Sequence, residues 1–457
     1  MSHEASPVDP LIVSVSGLRG VVGATLTPDV AVRYVHAFAA TLPAGPIVIG
    51  RDGRQSGPAL AAAIAGHLTA RGRDVIDCGV AATPTIGIVV RERGAVGGVQ
   101  ISASHNPARY NGLKLFSSAG RVLPAAAGGE VLRGYESLPT PLPAATGGRA
   151  GRVVEHDGTS THVALVAKCV DVESIRRRRL RVWLDSGHGA GSRVARPLLE
   201  HLGCDLIIEG GSPDGLFAHE PEPTAENLAA LLPRIASCRA DVGFFQDPDA
   251  DRLAIATAEG RYIGEEATLA LAVEAVLART PGPVVVNCST SGMTSRIASR
   301  SATPCHVSRV GEANVVDEML ACGAVIGGEG NGGVIDPRVV LVRDSFIAMA
   351  LVLERIAAEG RTVEELAAAL PRLVMKKVKV DLSPELRGPG LAAGLARIEA
   401  AFPDARASRL DGLRLDWPGG WLLVRSSNTE PIVRVVAESA DEAEVDQAIG
   451  RARRALG

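Results

Sequence analysis

Three stretches of the chain repeat one pattern of apolar and polar positions. They are residues 45–79 (GPIVIGRDGRQSGPALAAAIAGHLTARGRDVIDCG), 180–210 (LRVWLDSGHGAGSRVARPLLEHLGCDLIIEG) and 282–311 (GPVVVNCSTSGMTSRIASRSATPCHVSRVG). Each opens with a short apolar run fit for a buried strand, breaks at a Gly/Ser turn, continues with helical spacing, and closes on a second strand ending in glycine. Each is therefore a strand–helix–strand unit of roughly 30 residues. The units recur at intervals above 100 residues, which predicts repeated domains rather than a solenoid.

Past Leu370–Pro371 the pattern changes. VMKKVKVDL alternates like a strand, LDGLRLDWPGGWLLVRSS and PIVRVVAES predict further strands, and ADEAEVDQAIGRARRAL predicts a terminal helix. The expected fold is α/β, with three domains of similar mixed topology followed by a fourth of α+β type. The Pro/Gly/Ala-rich run SLPTPLPAATGGRAG (137–151) and the turn AEGRYIGEEA (258–267) place domain limits at 1–150, 151–260, 261–371 and 372–457.

A length of 457 residues suits several domains, not one core. The formal net charge of −3, without a basic stripe, argues against a nucleic-acid partner. The start, MSHEASPVDP, lacks the features of a signal peptide. The longest apolar run, LALAVEAVLA, is interrupted by Glu274 and is no membrane span. Seven scattered cysteines without a CxxC pair point to buried thiols in a reducing, cytoplasmic setting, not to disulfides or zinc. Only five of the 48 Lys and Arg residues are lysine, among them Lys114. Lysine, unlike arginine, can give up its proton when its environment helps.

Four segments carry chemistry. In ISASHNPARYNGLK (101–114) an apolar strand runs into Ser104, His105, Asn106 and Pro107. Pro107 ends regular pairing and pushes Asn106 toward an extended conformation, so Ser104 sits at a sharp strand exit. The flanks of Ser104 lack the G-x-S-x-G of a serine hydrolase, which leaves a structural turn serine or a phosphoryl carrier. In DPDADR, Asp247, Asp249 and Asp251 alternate on one loop and repel each other unless a cation lies between them. Oxygen-only ligands suit Mg²⁺ or Ca²⁺. An EF-hand is excluded by Arg252 and Ala258 at its sixth and twelfth positions, while an acidic turn or a phosphatase-type nucleophile stays open. In GGEGNGGVI (327–335) the glycines let backbone approach a ligand, beside Glu329 and Asn331. VRSSNTEPIVRV (424–435) gathers the donors Arg425, Ser426, Ser427, Asn428 and Thr429 between two strands, with Arg434 nearby, as a phosphate cradle. Arg19 lies in SVSGLRGVVG, and Arg51 and Arg54 in GRDGR, where either pair of surroundings suits surface charge. FAHEPEPTAENL (217–228) enters a helix at Thr224, an N-cap candidate, and is expected to be structural.

In this order and spacing, ISASHNPARYNGLK, DPDADRL, GGEGNGG and RSSNTEP resemble the α-D-phosphohexomutase superfamily, from SGLRG to RVVAES. The resemblance implies four domains around a central cleft and transfer of a phosphoryl group between C6 and C1 of a hexose phosphate. It implies Ser104 as phosphoserine and Asp247, Asp249 and Asp251 as Mg²⁺ ligands, completed by the phosphoserine. It implies Lys114 in proton transfer, with His105 as runner-up, and Arg19 and Arg252 as basic catalytic residues. Glu329 and Asn331 fall on the sugar-binding pair, and Arg425, Ser427, Asn428 and Thr429 on the phosphate-binding loop. A hexose 1,6-bisphosphate serves as intermediate and activator. The chain departs from the family pattern at Pro248, where glycine is usual, at Asn331, where serine is usual, and in SVSGLRG, which still keeps Arg19. The motif set is most similar to the archaeal-type branch acting on glucosamine phosphate, with phosphomannomutase/phosphoglucomutase as the alternative. A non-catalytic phosphosugar sensor on the same fold is the rival of a different class.

Overall fold

The computed structural model describes residues 9–145, 149–381, 388–426 and 432–456. The first sheet comprises β1 (Ile12–Ser14), β2 (Gly17–Val21), β3 (Ile47–Arg51), β4 (Val75–Val80), β5 (Gly97–Ile101), β6 (Tyr110–Ser117) and β7 (Val153–Glu155), in the order β1-β2-β6-β5-β3-β4-β7. The second holds β8 (Arg181–Asp185), β9 (Asp205–Glu209), β10 (Val242–Gln246) and β11 (Leu253–Thr257), in the order β11-β10-β8-β9. The third holds β12 (Val284–Asn287), β13 (Cys305–Ser308), β14 (Ile326–Glu329) and β15 (Gly333–Ile335), in the order β13-β12-β14-β15. The fourth is antiparallel throughout: β16 (Val374–Asp381), β17 (Arg406–Ser408), β18 (Leu413–Trp417), β19 (Gly420–Ser426) and β20 (Ile432–Ser439), in the order β16-β20-β19-β18-β17.

The repeated sequence units are the parallel cores of the first three sheets. β3, β8 and β12 each lie between two parallel neighbours, β4 and β5, β9 and β10, β13 and β14. In each sheet the third parallel strand then turns back into an antiparallel one, β5 into β6, β10 into β11, β14 into β15. Ser104 lies in the first of these turns, Asp247–Asp251 in the second, and Glu329 and Asn331 at the third. Three of the four motifs thus occupy equivalent positions at the C-terminal ends of parallel strands, where open α/β sheets bind ligands.

The linker-like run does not end the first domain cleanly. β7 follows it and pairs in parallel with β4, since two exposed valines and a glutamate suffice for an edge strand. The run LALAVEAVLA lies in the helix Glu265–Leu277, buried along almost its whole length, with Glu274 paired to Arg355 at 3.3 Å. Among the described residues no helix is long and apolar enough to cross a membrane. All seven cysteines are free, but only Cys169 and Cys288 are buried and the other five are half-buried. Five thiols thus lie nearer the surface than their sequence context suggested.

Candidate active site

The Ser104 turn is built around a buried arginine. Arg54, 1% exposed, follows β3 and points under the neighbouring turn. Its Nε donates to Asp52 Oδ2 at 2.9 Å, Nη1 to Pro107 O and Tyr110 O at 2.8 and 2.9 Å, and Nη2 to Ser104 O and Asn106 O at 2.7 and 2.6 Å. All five N–H groups of the guanidinium are therefore used on one carboxylate and one loop. Phe217 covers the guanidinium at 5.0 Å. Surface charge, the expectation for Arg54, is corrected: the residue is the scaffold of the loop. Asp52 in turn accepts from Ser102 Oγ at 2.7 Å, and Ser102 Oγ accepts from Ser104 N at 2.9 Å. Ser104 is thereby held at φ +49°, a left-handed conformation that serine rarely adopts.

That strained turn brings Ser104 Oγ to 2.8 Å from Asp247 Oδ2, to which it donates, and to 3.3 Å from His105 Nδ1. Asp247, Asp249 and Asp251 offer ligand atoms within 4.8 Å of one another, and none of the three is exposed. The loop is anchored from both neighbouring domains. Thr83 donates to Asp249 Oδ2 at 2.5 Å and Ser345 Oγ to Ala250 O at 2.7 Å. Ala250 sits at φ +57°, a second left-handed residue in the same site. Asp249 Oδ1 and Asp251 Oδ1 are buried without a hydrogen-bond partner. Two orphaned carboxylate oxygens in one cluster of three fit a hard divalent cation such as Mg²⁺.

Charge at the site is sharply divided. Burial, then Asp249 and Asp251, push the Asp247 carboxyl well above its ordinary range. Burial acts the same way on Asp251, but Arg343, Lys114 and Arg252 more than reverse it and hold that carboxyl low. Burial works against the Lys114 ammonium, yet Asp251 at 2.8 Å and Asp249 at 3.5 Å outweigh it and raise its pKa. His105 is driven down to about 2 by burial and by Arg252 and Arg19, and so stays neutral near pH 7. Arg252 donates its backbone N–H to Asp247 Oδ1 at 3.2 Å, and Arg19 Nη1 donates to Asn106 Oδ1 at 3.1 Å.

Arg19, His105 and Arg252 line a cleft of about 870 Å³ together with Glu329, Asn331, Arg425 and Arg434. Glu329 is almost fully buried: Oε1 accepts from Asn287 Nδ2 at 2.8 Å and Gly311 N at 3.0 Å, Oε2 from Arg343 Nη1 at 2.7 Å. Gly332 beside it adopts φ +82°, and a Cβ there would stand 2.3 Å from Leu253 O, so the turn requires glycine. Arg425 and Arg434 face each other in register on β19 and β20, and Arg425 Nε lies 3.3 Å from Asp411 Oδ2. Ser427, Asn428 and Thr429 lie outside the described residues.

The segment 217–228 does more than connect. Thr224 caps the short helix Ala225–Leu228 as expected, but Glu220, Glu222 and Asn227 line the cleft, and Glu222 stands 3.8 Å from His105. The only sequence signal was a density of acids in a loop, which a solvated turn shares. Arg343 was not among the sequence candidates and no local pattern marks it; Asp344 beside it caps the helix Ser345–Glu359.

Sequence profiles of phosphoglucomutase/phosphomannomutase match the chain in four consecutive pieces. Alpha/beta/alpha domain I covers residues 11–139, domain II 160–260, domain III 265–374 and the C-terminal domain 377–454. The chain is 34% identical over 93% of both chains to a protein of Methanopyrus kandleri described as "Probable phosphoglucosamine mutase". It is 35% identical to a phosphoglucomutase/phosphomannomutase of Thermococcus kodakarensis, over 93% of this chain and 94% of that one. The crystal structure of a phosphoglucomutase/phosphomannomutase family protein from Burkholderia thailandensis superposes with a TM-score of 0.84 at 27% identity, covering 97% of this chain and 96% of that one. With a matching domain for each of its four sheets, the chain belongs to the phosphoglucomutase/phosphomannomutase family of intramolecular phosphotransferases.

Proposed function

We propose that this enzyme is a phosphoglucosamine mutase that interconverts glucosamine 6-phosphate and glucosamine 1-phosphate through a phosphorylated Ser104 and a hexose 1,6-bisphosphate. One observation carries the mechanism: a strained serine hydroxyl held 2.8 Å from a buried three-carboxylate cluster, at the edge of a cleft with arginines on both sides. A serine that only shaped a turn would not need four guanidinium N–H groups to hold its loop over buried carboxylates.

In the forward half-reaction the bond from phosphorus to Ser104 Oγ breaks and a bond to the free sugar hydroxyl forms. The hydroxyl loses its proton and Ser104 Oγ takes one up; when the group returns from the other end of the sugar, Ser104 Oγ gives its proton up and the sugar oxygen released there takes one. Phosphoryl transfer depends chiefly on positioning and on neutralising charge. Asp247, Asp249 and Asp251 would hold Mg²⁺, which supplies charge neutralisation to the transferring group when bound. Arg252 and Arg19 add fixed positive charge from the protein itself. His105 stands beside Ser104 Oγ, and Lys114 shares a small cavity of about 120 Å³ with Ser104. These are the two groups we assign to exchange the proton. Glu329, fixed by three donors, and Asn331 present oxygen and amide groups to sugar hydroxyls, while Arg425 and Arg434 grip the phosphate that is not reacting.

The names of several relatives support glucosamine phosphate, and the Thermococcus kodakarensis relative supports phosphoglucomutase/phosphomannomutase as the second reading. The test compares kcat/KM on glucosamine, glucose and mannose 6-phosphates with a hexose 1,6-bisphosphate present, alongside intact-mass analysis. The expected result is preference for glucosamine 6-phosphate, one phosphoryl group on part of the wild type, and none on Ser104→Ala, whose turnover falls by orders of magnitude. A higher kcat/KM for glucose or mannose phosphate establishes the second reading. Phosphate on Asp247 instead of Ser104, or turnover on no hexose phosphate, refutes the mechanism.

A further inference from the structure

Arg343 lies between β15 and the helix Ser345–Glu359, and its side chain is 9% exposed. Its Nη2 donates to Asp251 Oδ2 at 2.6 Å and its Nη1 to Glu329 Oε2 at 2.7 Å. Its own backbone N–H donates to Glu312 Oε1 at 2.8 Å. The side chain runs over Gly333, where a Cβ would come within 2.3 Å of Arg343 Cδ, so the turn is shaped to let it through.

The two contacts do different things. Asp251 Oδ2 receives both Arg343 and Lys114, which leaves Oδ1 as the oxygen of that carboxylate without a hydrogen bond, with Arg252 Nε at 3.8 Å, open to a cation. On the other side, Arg343 is the sole donor to Glu329 Oε2 among the described residues, and Oε1 is taken by Asn287 and Gly311. The backbone around Arg343 is itself tied to the metal loop. Ser345 donates to Ala250 O, Gln246 Nε2 donates to Ser345 Oγ at 2.7 Å, and Leu253 N donates to Gly332 O at 3.0 Å.

We propose that Arg343 is a positioning residue that locks the carboxylate loop and the sugar-facing turn into one unit. By holding Asp251 Oδ2 and Glu329 Oε2 together, it fixes which carboxylate oxygen meets the cation and, with the same guanidinium, where the sugar is held. The inference rests on the roles proposed above for Asp251 and Glu329. Groups that orient metal ligands from behind are typically worth about 10–100-fold in affinity or activity.

Arg343→Met and Arg343→Lys test it, with Mn²⁺ as a binding probe read by electron paramagnetic resonance and with separate kcat and KM values. Met is expected to weaken Mn²⁺ binding and lower kcat, each by about 10–100-fold. Lys, which offers a point charge rather than a planar fork, cannot hold both carboxylates, so it restores folding but at most one of the two effects. A double-mutant cycle supplies the coupling: Glu329→Gln should raise KM several-fold in the wild type and much less in the Met variant. If Met fails to fold, the same cycle in the Lys background decides. Additive effects, or Mn²⁺ affinity unchanged in a folded Arg343 variant, refute the coupling while leaving the mutase reading intact. A wild type that turns over hexose phosphate but binds no Mn²⁺ refutes the inference. A wild type with no turnover and normal Mn²⁺ binding refutes the mutase reading instead.

Discussion

Replacing Arg54 should damage catalysis more than its distance from the substrate cleft suggests. Its five bonds hold buried Asp52 and four carbonyl oxygens of residues 104–110. In Arg54→Ala, Asp52 is left as an unpaired buried carboxylate, and breaking such a pair costs about 3–5 kcal/mol. Asp52 is already pushed up by burial, with Arg54 as the largest opposing influence, so the variant should relieve part of the cost by protonating it. The carbonyls lie near the cleft and can turn to water, so their loss adds little to stability but frees the loop. The informative variant is therefore Arg54→Lys. It keeps a charge near Asp52 and loses the fork that spans four carbonyls, for about 1–3 kcal/mol of stability. Ser104 is then no longer forced to φ +49°, and its Oγ drifts from Asp247. A displacement near 1 Å is worth roughly 100-fold in rate. Urea unfolding and steady-state mutase kinetics separate the two effects: kcat should fall about 100-fold with KM within a few-fold of wild type. A folded Lys variant with kcat within twofold of wild type would show that the carbonyl clamp does not aim Ser104.

Two further outcomes follow from local geometry. Burial lifts Glu266 from 4.5 to about 7 against the opposing Lys377, so the folded state holds its proton more tightly than the unfolded one. Stability must then fall as pH rises from 4.5 to 7, by about 3 kcal/mol at roughly 1.4 kcal/mol per pH unit; Glu266→Gln should lack that slope, and parallel wild-type and variant curves in urea titrations at several pH values would contradict it. Gly332→Ala places a Cβ against Leu253 O in a left-handed conformation, so it should cost about 1–3 kcal/mol and raise KM more than it lowers kcat; an unchanged KM would show that Asn331 next to it does not contact the sugar.

The strand–helix–strand repeats were legible because each unit sets apolar strand, glycine turn and helix within about 30 residues, where local pattern decides. The antiparallel strands that complete each sheet were not, because β15 is three residues long and β11 is apolar at all but its last position. Without them, the equivalence of the Ser104, Asp247–Asp251 and Glu329 turns could not be seen. The residues proposed to carry chemistry stood out by type and spacing, three alternating carboxylates and a serine before His-Asn-Pro, although an acidic turn and a structural turn serine share those signals. The residues that aim them did not. Arg54 and Arg343 are ordinary arginines in loops until folding brings residues 104–110 over one and residues 251, 312 and 329 around the other. His162 is a similar case: it joins Thr85 of the first domain to Asp344 of the third, each at 2.9 Å, and no local pattern marks it.

The proposed reaction makes two opposed demands, since the reacting atoms must be held to a fraction of an ångström while the sugar turns end for end between half-reactions. The structure divides them between parts of the chain. One continuous apolar core runs through the first three domains, from Val48 to Leu370. Polar ties cross the same boundaries: Thr83 to Asp249, Thr85 through His162 to Asp344, and Arg343 to Asp251. The three turns proposed to carry chemistry therefore cannot shift relative to one another without opening a shared core, at the cost that close-packed interiors impose. The fourth domain has its own core, from Ile398 to Leu456. It meets the third through a small cluster of Cys288, Trp421, Leu423 and Val436 and through polar contacts, Glu438 with Ser291 and Gly292, and Lys377 with Glu266. Hydrogen bonds of this kind exchange with water at little net cost, unlike a packed core. Arg425 and Arg434, the proposed grip on the phosphate that is not reacting, stand on this separately cored part. Release and recapture of the turning sugar can thus proceed by motion of the fourth domain while Ser104 and the three carboxylates stay in register.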